Sequence, residues 1–231
     1  MESSKLASIE YSIIRRPRRK TLSIVIRSDN RIEVLAPKQL SAARIAGFVQ
    51  DKSDWIHKKL HFNREIRAAF VPKTFTPGES FHLLGKPYSL QIQQGKRAVQ
   101  LCGPNLLVSH PCPDPDSTGR QITRWYRQQA ETHFQQRCEV FAEKIGKQPL
   151  SVGIKSYKSR WGSCHHDGRI YFNWRLIMAP GRVVDYVVAH ELCHLHHPDH
   201  SREFRARLQS IFPASQEATA WLKINGLTLS L

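Results

Sequence analysis

The pentapeptide His190-Glu191-Leu192-Cys193-His194 contains residue types at a spacing that suits metal chemistry. Residues four apart lie on one face of an α-helix, so the imidazoles of His190 and His194 are expected to converge on one point. Glu191 lies about 80° around the helix from their mean direction, from where its carboxylate can reach a metal-bound water. The spacing therefore predicts a Zn²⁺ site with Glu191 as the general base.

The same pattern also occurs in helices that bind nothing, where both histidines are merely exposed polar residues. Here it is preceded by an almost unbroken apolar run over residues 183–189, and Leu192 and Leu195 continue that run. A helix of this composition is expected to be buried. Burying two histidines and a glutamate costs free energy unless something compensates them, and a bound metal ion does so. The context therefore favours a metal site.

The third ligand is expected just after this helix. Pro198 disfavours helical backbone at His197, so the chain is predicted to turn there and to bring His200 back towards the ion. His197 and Asp199 are the alternative ligands. Three protein ligands leave the fourth zinc position open to water, which is typical of a catalytic site.

Several segments around the pentapeptide resemble the YgjP-like metallopeptidases, a family of predicted zinc-dependent hydrolases related to the SprT-like and Wss1-like proteases. The resemblance rests on residues 157–164 (YKSRWGSC), 170–176 (IYFNWRL), 185–195 (DYVVAHELCHL) and 199–201 (DHS), and extends to the basic start of the chain. It implies that His190, His194 and His200 are metal ligands and that Glu191 is the catalytic base. It also implies a zincin-like metallopeptidase domain.

The apolar patterning predicts an α+β fold in three parts. Residues 1–110 are expected to form a β-rich N-terminal domain with one helix, which begins near Ser41. Residues 111–117 contain three prolines and are predicted to be a linker. Residues 118–231 are expected to form the metallopeptidase domain, in which a long amphipathic helix over residues 122–145 packs against the zinc-binding helix.

Short apolar or alternating runs predict the strands. They lie at residues 12–14, 22–26, 32–35, 81–84, 88–92, 98–101, 106–109, 150–154 and 169–174. Asp29-Asn30 and Asp167-Gly168 are predicted to form turns. The strand at 169–174 is expected to line the cleft and to pair its exposed edge with an extended peptide. Ser215 is expected to cap the last helix.

Four polar residues are candidates for substrate binding or for stabilising an oxyanion, and the sequence does not rank them. They are Arg160, Tyr171, Asn173 and Arg175. Cys164 is expected to pack beside the site, with metal ligation as its alternative role. Cys193 is expected to point away from the ligands by helical phase.

The net charge of +16 and the isoelectric point near 10.0 indicate attraction to polyanions. The densest basic cluster, which we call the N-terminal basic cluster, consists of Arg15, Arg16, Arg18, Arg19 and Lys20. Arg120, Arg124 and Arg127 recur at helical spacing. Nucleic acid is therefore a candidate partner. The alternatives are a basic surface that keeps the protein soluble and binding of acidic protein substrates.

No apolar run is long enough to cross a membrane, no hydrophobic signal segment begins the chain, and five scattered cysteines do not suggest a disulfide framework. We therefore expect a cytoplasmic protein without a membrane partner. The favoured function is a zinc endopeptidase that binds one Zn²⁺ and cleaves proteins, including proteins attached to nucleic acid. The second is a metal-dependent hydrolase of a nucleotide or another phosphorylated small molecule. The third is a nucleic-acid-binding module with a closed, structural zinc site.

Overall fold

The computed structural model of the chain describes residues 2–6, 9–27, 29–69 and 71–231, with side chains for residues 9–27, 29–65 and 71–231. The fold is α+β, as the sequence predicts. It divides into two compact units, Met1–Phe70 and Val71–Leu231. The division falls well before the proline-rich segment 111–117, because Leu90 and Leu106 share one buried core with the helices of the second unit.

Among its described residues, the first unit combines a four-stranded sheet with two helices. Its elements are β1 (Glu2–Leu6), β2 (Ile9–Arg16), β3 (Ser23–Ile26), β4 (Ile32–Pro37), α1 (Ala42–Asp51) and α2 (Ser53–Ala69). The strand order is β1-β2-β4-β3, in which β2 and β4 are parallel. Asn30 has a φ of 65° in the predicted turn between β3 and β4. Ser41 caps the predicted helix, which the structure divides into α1 and α2 at Lys52.

The second unit holds two sheets and four helices among the described residues. Its elements are β5 (Ser80–Leu83), β6 (Lys86–Gln94), β7 (Ala98–Cys102), β8 (Asn105–His110), α3 (Pro115–Ile145), β9 (Ser151–Lys155), β10 (Gly162–Cys164), β11 (Arg169–Asn173), α4 (Gly181–Cys193), α5 (Arg202–Ile211) and α6 (Ser215–Asn225). Short 3₁₀ helices span Trp174–Met178 and Gly226–Thr228.

The larger sheet of this unit has the order β5-β6-β8-β7 and the smaller one has the order β10-β11-β9. β11 is therefore the central strand, antiparallel to β10 and parallel to β9. The prediction that β11 offers a free edge is wrong, since both of its edges are paired. The short strand β10, which the sequence did not predict, is the edge strand next to α4.

Helix α3 begins inside the segment predicted to be a linker. Asp114 caps it by accepting a hydrogen bond from the Ser117 N–H at 2.8 Å, and Pro115 occupies the first turn, where proline has no hydrogen bond to lose. The helix packs along α4, as predicted. Ser215 does not cap α6, because Ala214 holds that position without a side-chain bond. None of the described helices combines the length and apolar character needed to cross a membrane.

Candidate metal centre

Helix α4 carries the first part of the centre. Its buried residues belong to the core of the second unit: Val183, Val184, Val187, Val188, Ala189, Leu192 and Cys193. The helix ends at Cys193, and His194 is its C-cap residue. His190 and His194 consequently lie at the end of a helix that packs into the core, and both residues are half-buried.

The structure brings His190, His194 and His200 together, with one ring nitrogen of each within 4.8 Å of the others. Nε2 of His190 and Nε2 of His200 are 3.2 Å apart. Burial, followed by the charges on His194 and His200, lowers the pKa of His190 to about 4. The imidazole of His190 is therefore neutral near pH 7, which is the form that binds a metal ion.

The turn after α4 directs the third histidine. Nδ1 of His194 lies 2.9 Å from the backbone carbonyl of His197, and this contact leaves Nε2 of His194 to face the other imidazoles. Ser201 then caps α5 by accepting from the Phe204 N–H. His200 is held between this cap and the turn, whereas His197 and Asp199 lie outside the triad.

Phe204 forms the floor beneath the three imidazoles. Its side chain is 2% exposed, and its ring centroid lies 5.0 Å from that of His190, 4.5 Å from that of His194 and 5.0 Å from that of His200. One aromatic ring thus fixes the orientation of all three rings. The sequence marked Phe204 only as an apolar residue of a helix, because nothing in its spacing shows which residues it touches.

Glu191 is the buried carboxylate beside the triad, with 6% of its surface exposed. Burial raises its pKa from the usual 4.5 to about 7, against the opposing effects of the Arg160 charge and of a hydrogen bond from the Cys164 backbone N–H. A carboxyl with this pKa gains and releases a proton near neutral pH, which suits general acid–base chemistry.

Gly162 of β10 leaves the space that Glu191 occupies. A Cβ atom at this position would lie 2.5 Å from both Cγ and Oε1 of Glu191, which is far inside van der Waals contact. Only glycine therefore allows β10 to approach α4 at the position of this carboxylate. The backbone N–H of Cys164, in the same strand, donates a hydrogen bond to this carboxylate.

A cavity of about 560 Å³ opens onto this group. Its walls come from the end of α4, from β10 and from α6, and include His190, Glu191, His194 and His200. Arg160 and Lys223 add two positive charges to the lining. Three converging imidazoles, a buried carboxylate and an open cavity can hold a metal ion and still admit water and a substrate.

A model of the family described as "YgjP-like, metallopeptidase domain" matches residues 20–225. The chain belongs to the YgjP-like family. The resemblance seen in the sequence is thus confirmed, and the family supports a metal-dependent peptidase. Among curated proteins and among solved structures, no match was found.

Of the four candidates for contacting the substrate, only Arg160 lines the cavity of this YgjP-like protein. Asn173 is buried and donates from its amide to the carbonyls of Tyr157 and Arg160, so it holds the loop before β10. Tyr171 lies under the Lys155 ammonium, 3.5 Å from the ring centroid. Arg175 stacks on Trp174.

Cys164 packs beside the site, as expected, and is not part of the metal-ligating group. Burial, and then the charge of Glu191, raises the pKa of its thiol to about 11, which disfavours the thiolate that binds metals. Within the described part of the YgjP-like chain, no fourth histidine, cysteine or carboxylate joins the three histidines. The three protein ligands therefore leave a fourth coordination position of a zinc ion open.

The N-terminal basic cluster is partly used within its own unit. Arg15 donates to the carbonyl of Leu40 at 2.7 Å, and Arg19 donates to the carbonyl of Thr21 at 2.7 Å. These contacts hold loops of the first unit. The three remaining residues of the cluster, all exposed, are Arg16, Arg18 and Lys20.

We expect Phe204→Ala to weaken zinc binding by about 10- to 100-fold, since the three imidazoles lose the ring that orients them. The space left by the missing Phe204 ring should also lower the free energy of unfolding by about 3–5 kcal/mol. Leu208→Ala, one turn later in α5 and also buried, is the matched control. Leu208→Ala should lower the free energy of unfolding and leave the zinc affinity unchanged. Competition with a chelator measures the affinity. Equal losses of affinity in both variants would contradict the role of Phe204.

Gly162→Ala should lower kcat by about 10²-fold with the metal retained, because the new methyl group must displace the Glu191 carboxylate. Gly181→Ala is the control, since a Cβ at that position meets no atom within 4 Å. Metal content and kcat of the two variants are to be compared with those of the wild type. An unchanged kcat in Gly162→Ala would show that catalysis does not depend on the position of the Glu191 carboxylate.

The pKa of Glu191 predicts how the metal-free protein responds to pH. Because its folded pKa of about 7 exceeds the usual 4.5, the stability that Glu191 contributes is complete below pH 4.5 and is lost as pH rises through 7. The loss is about 3 kcal/mol by pH 8. Glu191→Gln cannot ionise, so the metal-free variant should be more stable than the wild type at pH 8 and similar at pH 4.5. Denaturant unfolding that shows no such divergence would contradict this environment for Glu191.

Proposed function

We propose that this protein is a zinc-dependent endopeptidase in which Glu191 is the general base. The observation that carries the proposal is the position of a buried carboxylate beside three converging imidazoles, at the wall of an open cavity. The match to the metallopeptidase family supports it.

The residues present fit zinc. Imidazole nitrogens favour Zn²⁺ and its neighbours among the transition metals over Mg²⁺ or Ca²⁺, which prefer oxygen. Two nitrogens at about 2.1 Å from a tetrahedral ion lie about 3.4 Å apart. The separation of 3.2 Å between His190 Nε2 and His200 Nε2 is close to this value.

The catalytic step that we propose depends on proton transfer by Glu191. When bound, Zn²⁺ lowers the pKa of water to about 7 and polarises the scissile carbonyl. Glu191 accepts the proton of the attacking water and delivers it to the leaving amine nitrogen, a role that its position beside the three imidazoles and at the wall of the cavity supports. Arg160, which lines the cavity, is proposed to stabilise the negative charge that develops on the carbonyl oxygen.

The outer edge of β10 is the proposed binding surface for the peptide backbone. The backbone carbonyl of Trp161 accepts from the Asn173 N–H, and the His165 N–H donates to the backbone carbonyl of Arg169. These groups of Trp161 and His165 therefore face β11. In an antiparallel pair the intervening residues point their backbone groups the other way. The backbone groups of Gly162 and Cys164 therefore face α4 and the cavity. The Cys164 N–H already donates to Glu191, so the groups proposed to pair with an extended peptide are those of Gly162 and the carbonyl of Cys164.

A second candidate function is hydrolysis of a phosphorylated small molecule such as a nucleotide. Arg160 and Lys223 in the cavity lining suit an anionic substrate. The third function, a module with structural zinc, is supported less well, because the described residues supply only three ligands.

The experiment that tests the proposal incubates the zinc-loaded protein with an unfolded protein and, separately, with a nucleoside triphosphate. Mass spectrometry detects new peptide termini, and phosphate release detects the second activity. New termini that are absent with Glu191→Gln support the peptidase. Phosphate release without new termini, also abolished by Glu191→Gln, would overturn the peptidase in favour of the second candidate.

A further inference from the structure

A group of arginines surrounds the exposed face of α3 in the second unit. This arginine surface consists of Arg97, Arg120, Arg124, Arg127 and Arg175. Helix α3 supplies three of them at steps of four and three residues, which places them on one face over about 10 Å of helix. Its packing against β7 and against the 3₁₀ helix Trp174–Met178 brings in the other two.

The charges of this surface are largely uncompensated. None of the five guanidinium groups forms an ion pair with a carboxylate in the part of the chain that the structure describes. Arg127 donates to the Ser156 hydroxyl at 3.3 Å, and Arg175 stacks on Trp174 at 4.5 Å. Burial, followed by the charge of Arg127, lowers the pKa of Arg175. The fold thus holds the like charges of Arg127 and Arg175 near one another.

A cavity of about 490 Å³ beside α3 presents hydrogen-bond donors to this surface. Arg97, Arg120 and Arg124 line it, together with Gln121 and His110. Nε2 of Gln121 is a buried donor with no hydrogen-bond partner among the described residues. Nδ1 of His110 accepts from the Cys112 N–H at 3.0 Å, so in the neutral ring the proton is on Nε2. Such a lining is suited to an anion.

Acidic residues near the surface do not balance it. Asp114 interacts with the charge of Arg120, but its carboxylate already caps α3 through Ser117. Asp116 lines a neighbouring cavity of about 480 Å³, which also includes Arg120, Arg124 and Arg127. Of the Asp114 and Asp116 carboxylates, that of Asp114 is therefore already used within the fold.

We propose that the arginine surface binds the phosphate backbone of single-stranded nucleic acid. Guanidinium groups match phosphate in geometry and charge. A row of them along α3 suits a ligand that carries repeated negative charges. Trp125, half-buried and in the lining of the same cavity, provides an aromatic ring on which a base can stack. The inference does not depend on the proposed peptidase activity.

The test is the affinity of the full-length protein for a fluorescein-labelled oligothymidine, measured by anisotropy over a range of salt concentrations. Removing two phosphate contacts with Arg97→Ala/Arg124→Ala should lower the salt slope by about 1.4 and weaken binding about 50-fold at about 50 mM salt. Lys86→Ala/Arg205→Ala removes the same charge from exposed positions outside the surface and should change affinity little. Thermal unfolding should be unchanged in both variants, because all four side chains are exposed.

Three results would overturn the proposal. The first is an equal loss of affinity in the control variant, which would show that only net charge matters. The second is a loss confined to Arg16→Ala/Arg18→Ala, which would place binding at the N-terminal basic cluster. The third is displacement of the oligothymidine by polyglutamate at equal charge concentration, which would indicate an acidic polypeptide as the ligand.

Discussion

Glu191→Gln is expected to lower kcat for peptide hydrolysis by about 10³-fold while the protein keeps its metal. Glutamine has nearly the same shape as the protonated carboxyl, so it fits the space beside Gly162. It cannot accept the proton of water, and the step that generates the nucleophile is then lost. Zinc content, measured by elemental mass spectrometry, and kcat, measured with a cleaved peptide, are to be compared in one preparation.

Glu203→Gln is the matched control for this substitution. Glu203 is exposed in the first turn of α5, only three residues after His200, and does not line the cavity. Its loss should leave kcat and zinc content unchanged. If Glu191→Gln retained full activity, Glu191 would not be the base, and another group would have to accept the proton.

His200→Ala is expected to weaken zinc binding by about 10³-fold. Total zinc-binding free energies of about 10–16 kcal/mol are shared among a few ligands, so one imidazole accounts for several kcal/mol. His190→Ala and His194→Ala should have the same effect, because the ligand atoms of all three lie within 4.8 Å of one another. Competition with a chelator of known zinc affinity measures the loss.

His197→Ala distinguishes the triad from its main alternative. His197 contributes its backbone carbonyl to Nδ1 of His194, and alanine keeps that carbonyl. The variant should therefore bind zinc as the wild type does. Loss of zinc in His197→Ala, with zinc retained in His200→Ala, would exchange the roles of these two residues.

The sequence predicts those parts of the site that lie close together along the chain. His190, Glu191 and His194 occupy one turn of helix, so helical periodicity alone places them. The turn at Pro198 predicts that His200 returns, although it does not exclude His197. Most strands and the long helix α3 also agree with the patterning, because each has a regular apolar face.

The parts that the sequence does not predict depend on contacts between distant segments. Gly162 and Glu191 meet only because β10 approaches α4, and β10 is too short to have a recognisable alternation. The proline-rich segment contains both an expected break and the cap of α3, since Pro115 is tolerated in a first turn. The sequence likewise drew attention to the N-terminal basic cluster, because its basic residues are close together along the chain. The arginine surface is assembled by packing from residues of separate segments.

The most direct test of the proposed metal-dependent peptidase is a titration of the metal-free protein with Zn²⁺, in which bound metal and peptide cleavage are measured in the same samples. We expect cleavage to rise in proportion to bound zinc and to level off at one equivalent. Neither signal should rise to that level in the variant that lacks His190, His194 and His200. Cleavage that is independent of zinc, or one equivalent of zinc bound tightly by that variant, would contradict the metal centre proposed for this protein.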